Sequence, residues 1–195
     1  MTGKRAEASI SESVESPIHP VTPSPCHRVP PPPWHLTGTA IVLPLGWRGV
    51  LSLVHYETSP VGPYDELAVG VLTRRGPSVA EMGVTSEASR QGGRKIWGFP
   101  KELRPLSWQR HRGRVIFKAG HQVWRVRPWG PSCPVSLPFW TVQTLDGHPV
   151  RVPCHVQGRA RLAFQGRRWA LIVENFEMVV APPVAFNPRH ATPDT

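Results

Sequence analysis

Val115-Ile116-Phe117-Lys118-Ala119-Gly120-His121-Gln122-Val123-Trp124-Arg125 reads as two short runs of β-formers around a turn at Ala119, Gly120 and His121. The same pattern recurs downstream. Arg161-Leu162-Ala163-Phe164 and Trp169-Ala170-Leu171-Ile172 flank Gln165-Gly166-Arg167-Arg168, a second predicted hairpin. Working outward, apolar and β-branched runs fall at 39–43, 49–55, 67–73, 78–84, 115–118, 122–127, 139–144, 150–156, 160–164 and 169–180. Most are short, with turn residues between them, which is the pattern of an antiparallel double sheet or barrel. Twenty-four Pro and 17 Gly among 195 residues exclude a bundle of long helices, because Pro ends helix interiors and central strands alike. One helix is predicted, Ser86-Glu87-Ala88-Ser89-Arg90-Gln91. Ser86 is its N-cap, Glu87 lies in the favourable first turn, and Gly92-Gly93 stop it. The expected fold is mainly β (β-rich α+β), with this short helix placed before an aromatic loop at 94–103.

The rest of the composition bounds the function. At 39% hydrophobic the chain can bury one sizeable core, and eight Trp argue against wholesale disorder. The first 33 residues hold eight Pro and balanced charge, so 1–30 is expected to be a flexible arm, 31–185 the β domain and 186–195 a tail. No stretch approaches the roughly 20 apolar residues of a membrane span, and the N-terminus lacks an apolar signal core, so a cytoplasmic location is expected. The net charge of +10 lies outside the arm. Between Glu102 and Asp146 there is no acid, whereas Arg104, Arg110, Arg112, Arg114, Lys118, Arg125 and Arg127 all fall there. Such a bias points to an anionic partner. Trp108, Trp124 and Trp129 among these cations would suit a stacking surface for nucleic acid, yet no recognition motif accompanies them, and a small carboxylate is the preferred partner. Cys26, Cys133 and Cys154 show no CxxC spacing. In a strand, Cys154 and His155 point to opposite faces, so no metal site is expected. No phosphate-cradling glycine loop is present, and no cofactor is expected.

Lysine is scarce here: only Lys4, Lys95, Lys101 and Lys118 occur. Lys101 stands out because it follows Trp97-Gly98-Phe99-Pro100, an apolar and conformationally restricted approach. Arg cannot become a neutral nucleophile, whereas Lys can if desolvation lowers its pKa.

Two blocks carry a family resemblance. Thr58-Ser59-Pro60-Val61-Gly62-Pro63-Tyr64-Asp65-Glu66-Leu67 and Gly93-Arg94-Lys95-Ile96-Trp97-Gly98-Phe99-Pro100-Lys101, in this order, resemble the acetoacetate decarboxylase superfamily over roughly residues 31–180. The resemblance implies a closed antiparallel β-barrel-like fold with an interior active site, and a homo-oligomer by family habit. It implies that Lys101 forms a Schiff base with a small keto acid and that Glu66 orients substrate or shuttles protons. Trp97, Phe99, Pro100 and Tyr64 would be pocket walls or ordinary core, and Arg94 would anchor the loop beside the substrate. A lysine that attacks a ketone must be neutral, so its pKa has to be lowered by an apolar pocket or a neighbouring cation. Three positions depart from the pattern. Glu102 stands where the decarboxylases have a second lysine, 34–46 contains no Arg, and the chain is short. The expected activity is therefore a decarboxylase-like carbon–carbon lyase. The alternatives are aldol or dehydration chemistry through the same iminium, and a non-catalytic small-molecule binder.

Overall fold

The β-branched and aromatic runs of the chain form strands that are longer than their apolar segments, because neighbouring strands extend the ladders past the hydrophobic residues. In the computed structural model, which describes residues 29–47 and 49–186, the arm up to residue 28 and the tail from 187 lie outside the described residues. Four strands come first: β1 (Trp34–Pro44), β2 (Gly49–Thr58), β3 (Tyr64–Thr73) and β4 (Gly76–Val84). Helix α1 (Glu87–Trp97) follows, then β5 (Lys101–Leu103), β6 (Leu106–His111), β7 (Arg114–Ala119) and β8 (Gln122–Pro128). The described residues end with β9 (Cys133–Leu145), β10 (His148–Gln165), β11 (Arg168–Val180) and β12 (Val184–Ala185).

Both hairpins read from sequence are present. Lys118 faces Val123 across β7 and β8, and Gln165 faces Arg168 across β10 and β11. The hydrogen-bonded order is β5-β4-β3-β2-β1-β11-β10-β8-β7-β6, with β9 and β12 also on β10. The expected barrel is not closed. At one end β4 comes up to β9, and the bend after α1 stands there: a side chain on Gly98 would overlap the Thr144 carbonyl of β9. That bend brings backbone against backbone without strand pairing, so the sheet is curved but open.

Helix α1 corrects a second expectation. Ser86 caps it as predicted, its Oγ accepting from the Ser89 amide at 3.2 Å, but the helix runs on through Gly92 and Gly93 to Trp97. A glycine inside a helix costs about 1 kcal/mol relative to alanine. Packing overrides that preference here, because a Cβ on Gly92 would lie 2.6 Å from the Trp34 ring and one on Gly93 2.5 Å from the Lys101 stem. The helix ends at Gly98, whose left-handed φ of 71° lets its amide return to the Arg94 carbonyl at 3.1 Å. Trp97 thus belongs to the helix rather than to a loop.

Each face of the sheet carries one buried apolar cluster. On β2, Val54 and Tyr56 join one apolar cluster with Trp34, Met82, Trp97 and Phe176, while Leu51 and Leu53 join another around Phe117, Val126 and Ile172. Alternation along a strand sends such odd and even sets to opposite faces. Trp108 and Trp124 pack on Phe117, with ring centroids 6.1 and 6.0 Å away, so both indoles help to fill the second core. Trp34 anchors the start of the domain, its indole N–H donating to the Pro30 carbonyl at 3.0 Å. No helix among the described residues is long and apolar enough to cross a membrane.

Candidate active site

Period-two alternation on β3 places Tyr64, Glu66 and Ala68 on the first-core face, and Asp65 on the other. Tyr64 faces Tyr56 directly across β2, which puts the Tyr56 hydroxyl diagonally over Glu66. That hydroxyl donates to Glu66 Oε1 at 3.1 Å. On the far side of β4, Lys101 opens β5 opposite Met82, and its side chain spans β4 to reach Glu66. Lys101 Nζ donates to Glu66 Oε2 at 2.8 Å and to Ser89 Oγ of α1 at 2.9 Å, and sits 5.3 Å from the Tyr64 ring centroid. Lys101 and Glu66 are each only 5% exposed, and Ser89 is fully buried. An ammonium and a carboxylate are thus paired in a dry site, with two phenols and a hydroxyl around them.

Local structure explains why the lysine sits there. The absence of a side chain on Gly93 leaves a channel across α1 for the methylenes of Lys101. Arg94 Nη1 donates to the Lys101 carbonyl at 3.1 Å, and the Lys101 amide returns to the Phe99 carbonyl at 2.8 Å. Arg94 therefore holds the lysine's backbone. Trp97 lies in the core, edge-on to Trp34 at 5.0 Å, and its indole N–H donates to the Ala181 carbonyl at 2.8 Å. Phe99 packs against Trp97 at 6.1 Å, and Pro100 lines a cleft on the β9 side. Glu102 alternates outward, exposed and paired with Arg104 at 3.3 Å, so it does not face the Lys101 amine.

The electrostatics reverse one expectation from the sequence. Burial, the largest single influence on Lys101, pulls its pKa down as the aromatic approach predicts. The Glu66 carboxylate opposes it, helped by Tyr64, and the net direction is upward, so the resting group is an ammonium. Burial raises Tyr64 to about 12, with Lys101 pulling it down and Glu66 pushing it up. Tyr56 is pushed well above its ordinary value by burial and then by the charge on Glu66. Both phenols hold their protons at neutral pH and are available as donors.

Sequence reasoning singled out Lys101, Glu66 and Tyr64, which the fold brings together. It missed Tyr56 and Ser89. For Ser89 a signal existed: with Gly93 it forms an i, i+4 pair, and the two lie on one helix face. Tyr56 carried none, since its place over Glu66 depends on the β2–β3 register.

The opposite face of β3 has its own pair. Asp65 Oδ1 lies 2.7 Å from His55 Nδ1, and the imidazole stacks on Trp108 with a 5.8 Å centroid distance. The hydrogen bond to Asp65 raises the His55 pKa above 6.5, against some lowering by burial. A raised folded value stabilises fully below the unfolded pKa of 6.5 and is lost as pH rises through the folded one. Asp65→Asn is therefore expected to lower the melting temperature more at pH 5.5 than at pH 8.5; equal losses at both would rule this linkage out. Elsewhere Cys154 is buried, its thiol pushed up to about 12 by desolvation, while the adjacent His155 faces outward to Ser136 at 2.9 Å. Among the described residues no group of three or more His, Cys, Asp or Glu is placed to hold a metal ion.

No protein-family model and no curated protein sequence matches the chain. Solved structures similar to it include two of acetoacetate decarboxylase. Acetoacetate decarboxylase from Legionella pneumophila subsp. pneumophila str. Philadelphia 1 superposes with a TM-score of 0.54 at 14% identity, over 91% of this chain and 98% of that one. A structure described as "Structural Studies of Acetoacetate Decarboxylase" gives 0.50 at 11% identity, over 80% of this chain and 91% of that one. The chain thus has an acetoacetate decarboxylase-like fold.

Proposed function

We propose that this acetoacetate decarboxylase-like chain is a Schiff-base lyase acting on a small keto acid, with Lys101 as nucleophile and Glu66 as its proton partner. The observation that carries the reading is the buried contact of 2.8 Å between Lys101 Nζ and Glu66 Oε2, with Tyr64 and Ser89 completing the surround. Attack on a ketone needs the neutral amine, and Glu66 is within reach of the proton to be removed. The carbinolamine then loses water, taking a proton from the Glu66 carboxyl. The resulting iminium accepts the electron pair of the carbon–carbon bond as carbon dioxide leaves. Protonation of the enamine carbon and hydrolysis of the imine release the product and regenerate the amine. Tyr64 and Tyr56, protonated at neutral pH, are the donors available to the carbinolamine oxygen and to Glu66.

The test is borohydride trapping with a panel of keto acids, read by intact mass and peptide mapping. A substrate-dependent adduct on Lys101 is expected, and its mass separates loss of carbon dioxide from a retained carboxylate, as aldol or dehydration chemistry would leave it. Glu66→Gln removes the influence that holds the ammonium charged, so burial then lowers the Lys101 pKa. That variant is expected still to trap adduct on Lys101 at pH 7, but more slowly than the parent because the carbinolamine has lost its carboxyl proton donor, and to turn over about 10²-fold or more slowly. Absence of any adduct in folded parent protein would overturn the proposal.

The raised Lys101 pKa favours a second reading, in which the same buried pair recognises a small carboxylate or polar ligand without chemistry. Saturable ligand binding that leaves no trapped adduct distinguishes it.

A further inference from the structure

The hairpin between β3 and β4 turns on Arg74 and Arg75. Thr73 fixes it, its Oγ1 donating to the Gly76 carbonyl at 2.7 Å and accepting from the Arg75 amide at 3.2 Å. A cleft of about 480 Å³ opens beside this turn, where the sheet fails to close between β4 and β9. Its lining includes Arg74, Arg75, Val79, Pro100, Val142 and Gln143. Both arginines are exposed, and among the described residues neither has a carboxylate partner. Two adjacent cations at a rigid turn repel one another and gain from a shared counter-charge. Gln143 lies deeper, only 6% exposed, and its Nε2 has no hydrogen-bond partner. A buried amide donor without an acceptor costs free energy that a ligand oxygen would recover.

We propose that this cleft binds a small organic carboxylate. Its carboxylate meets Arg74 and Arg75, its alkyl body lies on Val79, Val142 and Pro100, and a further acceptor atom takes the Gln143 amide. The guanidinium pair alone would suit a phosphate equally. The apolar walls and the single uncharged buried donor favour a monoanion with a hydrocarbon body, and the volume lies within the range of small-molecule sites. Lys101 is not among the lining residues, so the proposal does not rest on imine chemistry.

4-Methoxybutanoate suits the test as a carboxylate with a second acceptor and no ketone to condense with Lys101, and hexanoate as the analogue without one. Neither loses carbon dioxide readily. Each is titrated calorimetrically into the full-length parent, Arg74→Ala/Arg75→Ala, Gln143→Leu, and Lys101→Met/Glu66→Gln. The parent is expected to bind 4-methoxybutanoate at one saturable site, more tightly than hexanoate. Affinity for 4-methoxybutanoate should fall at least tenfold in the double-arginine variant and in Gln143→Leu, and stay within twofold in Lys101→Met/Glu66→Gln. Gln143→Leu should melt no lower than the parent, since it removes an unsatisfied buried amide. Unchanged affinity in the double-arginine variant, whose substitutions lie on an exposed turn, would overturn the proposal. So would tighter binding of inorganic phosphate than of 4-methoxybutanoate, or a loss confined to Lys101→Met/Glu66→Gln, which would seat the anion on the buried amine instead.

Discussion

Lys101→Met is expected to lower the stability of the fold by about 3–5 kcal/mol, and adding Glu66→Gln to it is expected to restore at least half of that loss. The single change leaves Glu66, 5% exposed, with its carboxylate buried opposite a thioether and only the Tyr56 hydroxyl still donating to it. Removing one member of a buried pair exposes the full desolvation cost of the other, whereas replacing both removes the charge altogether. A urea-denaturation double-mutant cycle over the two positions measures this directly. Additive losses would mean that the pair is not coupled, and would also remove the basis for proton exchange between Lys101 and Glu66. Trapped adduct should be absent from both lysine variants, whatever their stability.

Gly98→Ala is expected to cost on the order of 3 kcal/mol or more, a large effect for the addition of one methyl group. Two penalties coincide at this residue. Its φ of 71° is unfavourable for any side chain that carries a Cβ, and the new Cβ would overlap the Thr144 carbonyl of β9. Backbone cannot rotate aside as a side chain can, so relief requires moving the bend between α1 and β5. That bend leads directly into Lys101, so the substitution should also slow any adduct formation on Lys101 in the fraction that remains folded. Gly113→Ala is the control, since it has a similar φ of 72° but open space around the added carbon. It isolates the conformational penalty, and equal losses at the two positions would show that the contact with β9 contributes nothing.

Much of the secondary structure is legible in the residues because its causes are local. The turns at Gly120 and Gly166, the alternating runs on either side and the Ser86 cap depend on residues within a few positions of one another. The chemical oddity of Lys101 is legible too, as a lysine behind an aromatic and proline-restricted approach in a chain that mostly uses arginine. Local signals mislead where distant packing outweighs them. Gly92-Gly93 reads as a stop, yet α1 runs through it, since only hydrogen at these positions admits Trp34 and the Lys101 stem. Trp97 and Phe99 read equally well as pocket walls or core, and their contacts place them with Trp34 in the core.

Taken alone, the order of residues specifies a β-rich domain with one capped helix and one lysine set apart from ordinary surface charge. The state of that lysine is a property of the folded chain. The aromatic approach predicts a depressed pKa, but strand β3 brings Glu66, 35 residues away in the chain, to 2.8 Å and reverses the direction. The same geometry turns Glu102, the immediate neighbour, out to Arg104. Sequence adjacency fixes the side of a strand on which a residue lies, but the charge it meets there is set by the order in which strands pair. That order is fixed by burying two cores across one curved sheet, a property of no single segment.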